Sequence, residues 1–196
     1  MTTPCYGPRF PDALSLAAAS FSSVRRKATG IPYIAHLLWV TATVAEHGGS
    51  EDQLIAAVLH DYLEDVDGSS AAELEQRFGA HVSWLVCELS DTTSRPKPPW
   101  RERKERYLAH LPNATPEVKL ISAADKLHNI LSCVRDYQTD GEALFERFRG
   151  GREGTLWYFR QVHLALGVGW PHPIVDKLGE QVRQLHQLAD APLAEF

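Results

Sequence analysis

Residues 50–65 read Ser-Glu-Asp-Gln-Leu-Ile-Ala-Ala-Val-Leu-His-Asp-Tyr-Leu-Glu-Asp, and this stretch decides the fold class. Ser50 is an N-cap residue type, and Glu51 and Asp52 put negative charge in a first turn, where the helix dipole favours it. The helix is expected to run to Asp65 and to stop at Asp67-Gly68. Residues three and four apart share a helical face, which sets His60 beside Glu64, and Asp61 beside Glu64 and Asp65. Ala56 to Leu59 is apolar, so this acidic cluster follows a buried turn. Ionisable groups beside a core segment need compensation, and a divalent cation bound by imidazole and carboxylate donors supplies it. The plain alternative is a solvated helix end carrying an incidental His-Asp pair, at a small cost against the dipole.

The same helical grammar extends in both directions. Strand-type alternation is nearly absent and no βαβ rhythm appears, so the expectation is an all-α chain of about ten helices. Upstream, a helix is expected from Asp12, as N-cap, to Lys27. Gly30 and Pro32 break the chain, and a second helix spans Tyr33 to His47 before Gly48-Gly49. Downstream, Ser70-Ala71-Ala72-Glu73 has the form of a capping box opening a short helix to Phe78, and another covers His81 to Leu89. The stretch Asp91 to Pro99 is polar and proline-rich, hence a loop, and Trp100 to Leu111 is a charged helix. Thr115 caps a long helix with Pro116 at its first position, running to about Tyr137. A short helix near Glu142 to Phe148, a loop at Gly150 to Gly154, and helices over Thr155 to Leu166 and Ile174 to Leu188 complete the expectation.

Two further stretches carry chemistry. On the long helix, Asp125 lies within an apolar stripe of Leu120, Ile121, Ala124, Leu127, Ile130 and Leu131. Asp125, His128, Asn129 and Ser132 fall at helical spacing and form one polar face. By itself that face also fits a half-exposed stripe, or an Asp paired with a neighbouring cation. His36 sits in Gly30-Ile31-Pro32-Tyr33-Ile34-Ala35-His36 and precedes Leu37, Leu38, Trp39 and Val40. A lone His in such surroundings reads first as a satisfied core residue.

Composition narrows the class. The chain has 196 residues, 44% hydrophobic and 23% charged, which suits a single globular domain over 1–196. No apolar run approaches a membrane span, and Met1 to Phe10 does not read as a signal peptide, so nothing points outside the cytoplasm. The three cysteines, Cys5, Cys87 and Cys133, are too few and too widely spaced for a disulfide framework or a Cys-type zinc site. Cys87 and Cys133 are expected as small core residues. The formal net charge of −5 argues against nucleic acid as a partner. It leaves room for an anionic small molecule at the basic clusters Arg25-Arg26-Lys27 and Lys97 to Arg106.

Taken in order, Arg26-Lys27-x-x-Gly30-x-Pro32-Tyr33-Ile34-x-His36, His60-Asp61-x-x-Glu64-Asp65 and Asp125-Lys126-Leu127-x-Asn129 resemble the HD hydrolase domain of the RelA/SpoT family. The chain is most similar to the small stand-alone (p)ppGpp hydrolases, the Mesh1-like group. The three blocks together are specific, and the resemblance covers roughly residues 12–165. It implies a compact helical HD bundle and a single Mn2+ held by His36, His60, Asp61 and Asp125. It implies that Glu64 and Asp65 position and activate the attacking water. It places Arg26 and Lys27 beside a guanine base, Asn129 and Ser132 at the ribose, Tyr158 near the nucleotide and Lys104 near the phosphates. The loops at 91–99 and 150–154 depart from the family pattern.

The chemistry agrees with that donor set. Two neutral imidazoles and two carboxylates leave a dication near zero net charge and electrophilic, able to acidify water and polarise phosphorus. Arg26 can also stack on a purine. The implied activity is hydrolysis of guanosine-3′,5′-bis(diphosphate) to GDP or GTP and pyrophosphate. Two alternatives stand beside it: an HD phosphohydrolase acting on another phosphoester, such as the 2′-phosphate of NADPH, and a catalytically silent nucleotide sensor. The intact ligand set with Glu64 and Asp65 argues against the sensor. The amphipathic segment from Pro171 to Phe196 packs either on the core or on a partner, and the oligomeric state is left open.

Overall fold

The computed structural model describes residues 6–27, 29–94 and 96–191. Among these, ten α-helices and two 3-10 stretches carry the fold, and the only extended pairing is an isolated bridge between Arg25 and Pro32. Among the described residues no helix is long and apolar enough to cross a membrane.

The first helix, α1, spans Arg9–Ser20 rather than 12–27. Asp12 lies in its first turn, Phe21 closes it, and the chain then folds into a tight loop. In that loop Arg26 N–H donates to Ile31 O at 2.9 Å and Tyr33 N–H to Val24 O at 2.9 Å. Arg26 and Lys27 are therefore presented by a loop, not by a solvated helix end. α2 follows at Ile34–Glu46.

The stretch quoted first forms two helices, not one. α3 is Glu51–Val58 and α4 is Tyr62–Asp65, with a turn over 59–61 between them. Ser50 starts α3 with a full capping box: its hydroxyl accepts from Gln53 N–H while the Gln53 side chain accepts from Ser50 N–H. α5 (Ala71–Phe78) has half of the expected box. Ser70 accepts from Glu73 N–H, but the Glu73 carboxylate instead accepts from Tyr62 OH at 3.0 Å.

α6 covers Ala80–Leu89 and buries Val82, Leu85, Val86 and Leu89. Cys87 falls off that stripe and is exposed, whereas Cys133 is buried as expected. Cys5 lies outside the described residues. After the 91–99 loop come α7 (Trp100–His110) and the 25-residue α8 (Pro116–Asp140), capped by Thr115 with Pro116 in its first turn. A 3-10 stretch, Gly141–Arg147, leads into α9 (Gly151–Gly167), and α10 (Pro173–Leu188) follows.

The expected loop at 150–154 is the start of α9. Two of its three glycines serve contact rather than flexibility: a Cβ at Gly150 would lie 2.7 Å from the Trp100 ring, and one at Gly154 3.1 Å.

α8 is the spine, packed by α2, α3, α6, α9 and α10. Its first half is surrounded, with Val118, Ile121, Ala123 and Ala124 wholly buried. α10 lays Ile174, Leu178, Val182 and Leu185 on the core. That settles its described part as core packing. Burying this apolar surface is the main drive for the arrangement.

Candidate functional site

A cavity of about 550 Å³ opens between the 24–33 loop, α4, α7, α8 and α9. Eight Lys or Arg and six Asp or Glu line it, a balance of +2 in a chain whose formal charge is −5. Of the basic groups, Lys27 and Arg149 are exposed at the opening, whereas Arg103 is buried within the wall. The Lys27 ammonium is held below its usual value by desolvation, with Asp65 pulling upward and Lys104, Arg149 and Lys97 pushing down. Such a mouth suits a multiply anionic small molecule.

At the back, two helices and a turn converge on one point. Donor atoms of His36 (α2), His60 (the 59–61 turn) and Asp125 (α8) all lie within 4.8 Å of one another, and all three residues are buried. Asp61 Oδ2 joins them, 3.0 Å from His60 Nε2 and 3.9 Å from His36 Nε2. The break after Val58 makes this possible. On a continuous helix neighbouring side chains diverge by about 100°. The turn lets His60 and Asp61 face the same place.

The donor atoms are prepared for a cation. His60 Nδ1–H donates to Ala57 O at 2.8 Å, which leaves Nε2 as the nitrogen that faces inward. That Nε2 is buried and makes no hydrogen bond of acceptable geometry among the described residues. Tyr33 OH donates to Asp61 Oδ2 at 2.6 Å. Asn129 Nδ2 donates to Asp125 Oδ1 at 2.5 Å, and Lys126 holds Asp125 Oδ2.

The electrostatics agree. Burial opposes ionisation of Asp125, yet Lys126 beside it, with His36 and His60 close by, holds its carboxyl well below the usual range. Burial likewise opposes ionisation of Asp61, and His60 outweighs it. For His60 burial disfavours charge, but Asp61 and Asp125 raise its pKa well above the usual value. For His36 burial prevails and its pKa falls. The pocket thus stabilises positive charge, whether a proton on His60 or a metal ion in its place. Two imidazoles with two carboxylates suit Mn2+, Zn2+ or Fe2+ better than Mg2+ or Ca2+, which prefer all-oxygen shells.

The remaining expected residues are in the same cavity. Glu64 and Asp65 both line it, with different environments. Glu64 Oε1 accepts from Asp91 N–H at 2.7 Å, and burial, then Asp61 and Asp91, push its carboxyl up to about 8. Asp65 is more exposed and pairs with Lys97 at 2.9 Å. Arg26 reaches across to α8, donating to Asn129 Oδ1 at 3.1 Å and to His128 Nδ1 at 3.1 Å. Lys27 and Ser132 are on the wall. Lys104 donates to Asp91 Oδ2 at 2.7 Å and lies 4.9 Å from the centre of the Tyr158 ring, which places it inside the site rather than on a plain charged face. Tyr158 is buried, and its hydroxyl has no hydrogen bond among the described residues. His36 stands behind the wall, 1% exposed.

Several participants had no role assigned from sequence. Tyr33, Lys126 and His128 stood inside the quoted motifs, and only their contacts reveal what they do. Asp91 and Arg103 form a buried ion pair that supports Glu64 from the loop side, and Arg147 and Arg149 enter from the α8–α9 connection.

Residues 13–156 match the HD domain family. The mouse guanosine-3′,5′-bis(diphosphate) 3′-pyrophosphohydrolase MESH1 is 38% identical over 122 residues, covering 61% of this chain and 66% of that protein. The chain thus spans just under two thirds of that relative's length. An Aquifex aeolicus protein with the same enzyme name, without the MESH1 label, is 34% identical over 130 residues, covering 65% of this chain and 18% of its own. A solved structure described as a metazoan ortholog of SpoT that hydrolyses ppGpp superposes with a TM-score of 0.76 at 30% identity, covering 94% of this chain and 98% of its own.

Proposed function

The chain belongs to the HD domain family, and from that premise we propose that it is a metal-dependent hydrolase of guanosine-3′,5′-bis(diphosphate). It releases pyrophosphate from the 3′ position. The observation that carries the reading is the convergence of His36, His60, Asp61 and Asp125 behind a cavity whose mouth is basic. The names of the relatives and the description of the solved structure support the substrate.

Mn2+ is the proposed metal, held by His36, His60, Asp61 and Asp125. When bound it supplies a Lewis acid that polarises a phosphate oxygen and lowers the pKa of water. The chain's own groups do the rest. Glu64, fixed by the bond its Oε1 accepts from Asp91 N–H, is the proposed proton acceptor for water, and a cation on the ligands would offset the Asp61 charge that helps to push its carboxyl up. Asp65 orients that water from the rim. Lys27 and Lys104 offset phosphate charge, Arg26 meets the base, Asn129 and Ser132 meet the ribose, and the Tyr158 hydroxyl supplies a hydrogen bond to the nucleotide. Water adds to the 3′-linked phosphorus, the bond from that phosphorus to O3′ breaks, and O3′ leaves as a hydroxyl after taking up a proton. The proposed setting is the cytoplasm.

Product identity tests the reading. Following the reaction by phosphorus NMR, ppGpp with the Mn2+-loaded protein is expected to give pyrophosphate and GDP. Orthophosphate from NADPH, with ppGpp left intact, would transfer the site to a phosphomonoester substrate.

A further inference from the structure

His128 takes no part in the reaction as outlined, yet it sits between the base-binding arginine and a candidate metal ligand. Its Nδ1 lies 2.7 Å from His36 Nδ1 and 3.1 Å from an Arg26 Nη1. Arginine has donors and no acceptor, and it keeps its proton. The Arg26 N–H must therefore point at a lone pair on His128 Nδ1. That nitrogen then carries no proton, and its single lone pair is shared between the Arg26 and His36 donors. The proton between the two rings belongs to His36 Nδ1. A neutral His36 with Nδ1 protonated has a bare Nε2, and this atom faces Asp125 Oδ1 at 3.2 Å and Asp61 Oδ2 at 3.9 Å. Arg26, which always keeps its proton, thus fixes the tautomers of both rings.

We propose that His128 is a positioning residue that, pinned by Arg26, locks His36 in the tautomer whose Nε2 is presented to the metal. The inference deepens the proposed function and rests on His36 as a ligand. The same guanidinium fixes the Asn129 amide: Oδ1 accepts from Arg26 at 3.1 Å, so Nδ2 is the end that donates to Asp125 Oδ1. One arginine thus orders a ligand on α2 and another on α8. His60 reaches the same end by a different route, through the carbonyl of Ala57. Partners of this kind set ring orientation and ligand basicity, and losing one costs about 10- to 100-fold in metal affinity.

Two variants separate the hydrogen bond from packing. His128→Phe keeps a ring beside Trp39, whose centroid is 4.7 Å from that of His128, and removes the acceptor. His128→Asn gives up the ring and returns an acceptor oxygen near the position of Nδ1. Calorimetric Mn2+ titration of the purified chain is expected to show binding about 10- to 100-fold weaker in His128→Phe and recovered by His128→Asn. Long-range proton–nitrogen NMR of the metal-free wild type is expected to show His36 protonated on Nδ1, with that pattern lost in His128→Phe. Wild-type affinity in His128→Phe, or a His36 protonated on Nε2 in the wild type, overturns the inference. Asp125→Ala serves as the separate control: Mn2+ binding that survives it sinks the ligand assignment itself, while loss there with none in His128→Phe sinks only the role of His128. Should His128→Phe fail to fold, the wild-type spectrum and His128→Asn decide.

Discussion

His60 Nε2 and Asp61 Oδ2 lie 3.0 Å apart although the two residues are neighbours in the chain. A regular helix would send them to different sides. The turn over 59–61 brings them together, and Tyr33 OH, donating to Asp61 Oδ2 at 2.6 Å, holds the carboxylate in that pose. Tyr33→Phe keeps the stacked contact with Phe21 at 5.4 Å and removes this one bond. The expected result is a loss of about 1.5–3 kcal/mol in the metal-free protein, the value of a hydrogen bond to a charged group. Mn2+ affinity should fall by about 10-fold. Denaturant unfolding and calorimetry check the two numbers, and unchanged affinity would show that Asp61 needs no support from Tyr33.

Lys119 is buried on α8, and its ammonium donates to Pro112 O at 3.0 Å and to Val168 O at 2.7 Å. It ties the turn before α8 to the end of α9, far from the site. Lys119→Met leaves two carbonyls without that donor, and each unsatisfied buried group costs about 1–3 kcal/mol. Stability measured in urea should drop by at least the lower figure while Mn2+ affinity stays at the wild-type value. A wild-type midpoint would mean that water replaces the ammonium at no cost.

Gly150 has φ −80 and ψ −8, which any residue adopts, so a side chain there meets only the Trp100 ring. Trp100 is part of the cavity wall. Gly150→Ala should cost about 1–3 kcal/mol by overpacking. Because the ring must move into the cavity or away from it, KM should change more than kcat. Steady-state kinetics beside a thermal melt test this, and wild-type values in both would refute the close approach.

His81, when protonated, donates from Nδ1 to Asp52 at 3.1 Å and from Nε2 to Glu117 at 3.3 Å, while Arg9 also holds Asp52 and Trp84 stacks on the imidazole. The hydrogen bond to Asp52 raises its pKa against a small burial effect. A folded value above the unfolded one, which is about 6.5, means that this stabilisation is complete below that pH. It is lost as pH rises through the folded value. The effect is modest because the group is exposed, and salt weakens it. The melting temperature should therefore fall between pH 6 and pH 9 by more in the wild type than in His81→Gln. Equal slopes would remove His81 from the account.

The fold class and most of the site were legible in sequence for definite reasons. Ser50, Thr115 and Pro116 state where helices begin, and Gly48 and Gly68 state where others end. His36, His60, Asp61 and Asp125 each admit a plain structural reading on their own, and it is the resemblance of the three motifs to one family that joins them as a ligand set. What was not legible depended on contacts between distant segments. Residues 50–65 keep helical spacing throughout, so nothing local reveals the turn at 59–61. It is stabilised by His60 on Ala57 and by the gathered donors. Gly150 and Gly154 look like a flexible loop until Trp100, some 50 positions earlier in the chain, is seen packed on them. Arg25 to Lys27 look like a helix end because the Val24–Tyr33 pairing that closes their loop is a backbone event. The part played by His128 follows only from where Arg26 points.

The central claim is that this cluster binds a metal on which hydrolysis depends. Its most direct test is pyrophosphate release from ppGpp by the chain stripped of metal and then titrated with Mn2+, run beside Asp125→Ala. The account predicts no release without metal, release that saturates as Mn2+ fills a single site, and a loss of at least about 1,000-fold in the variant, as for removal of a principal charge-stabilising group. Release that persists in the stripped protein, or that Asp125→Ala leaves unchanged, would contradict it.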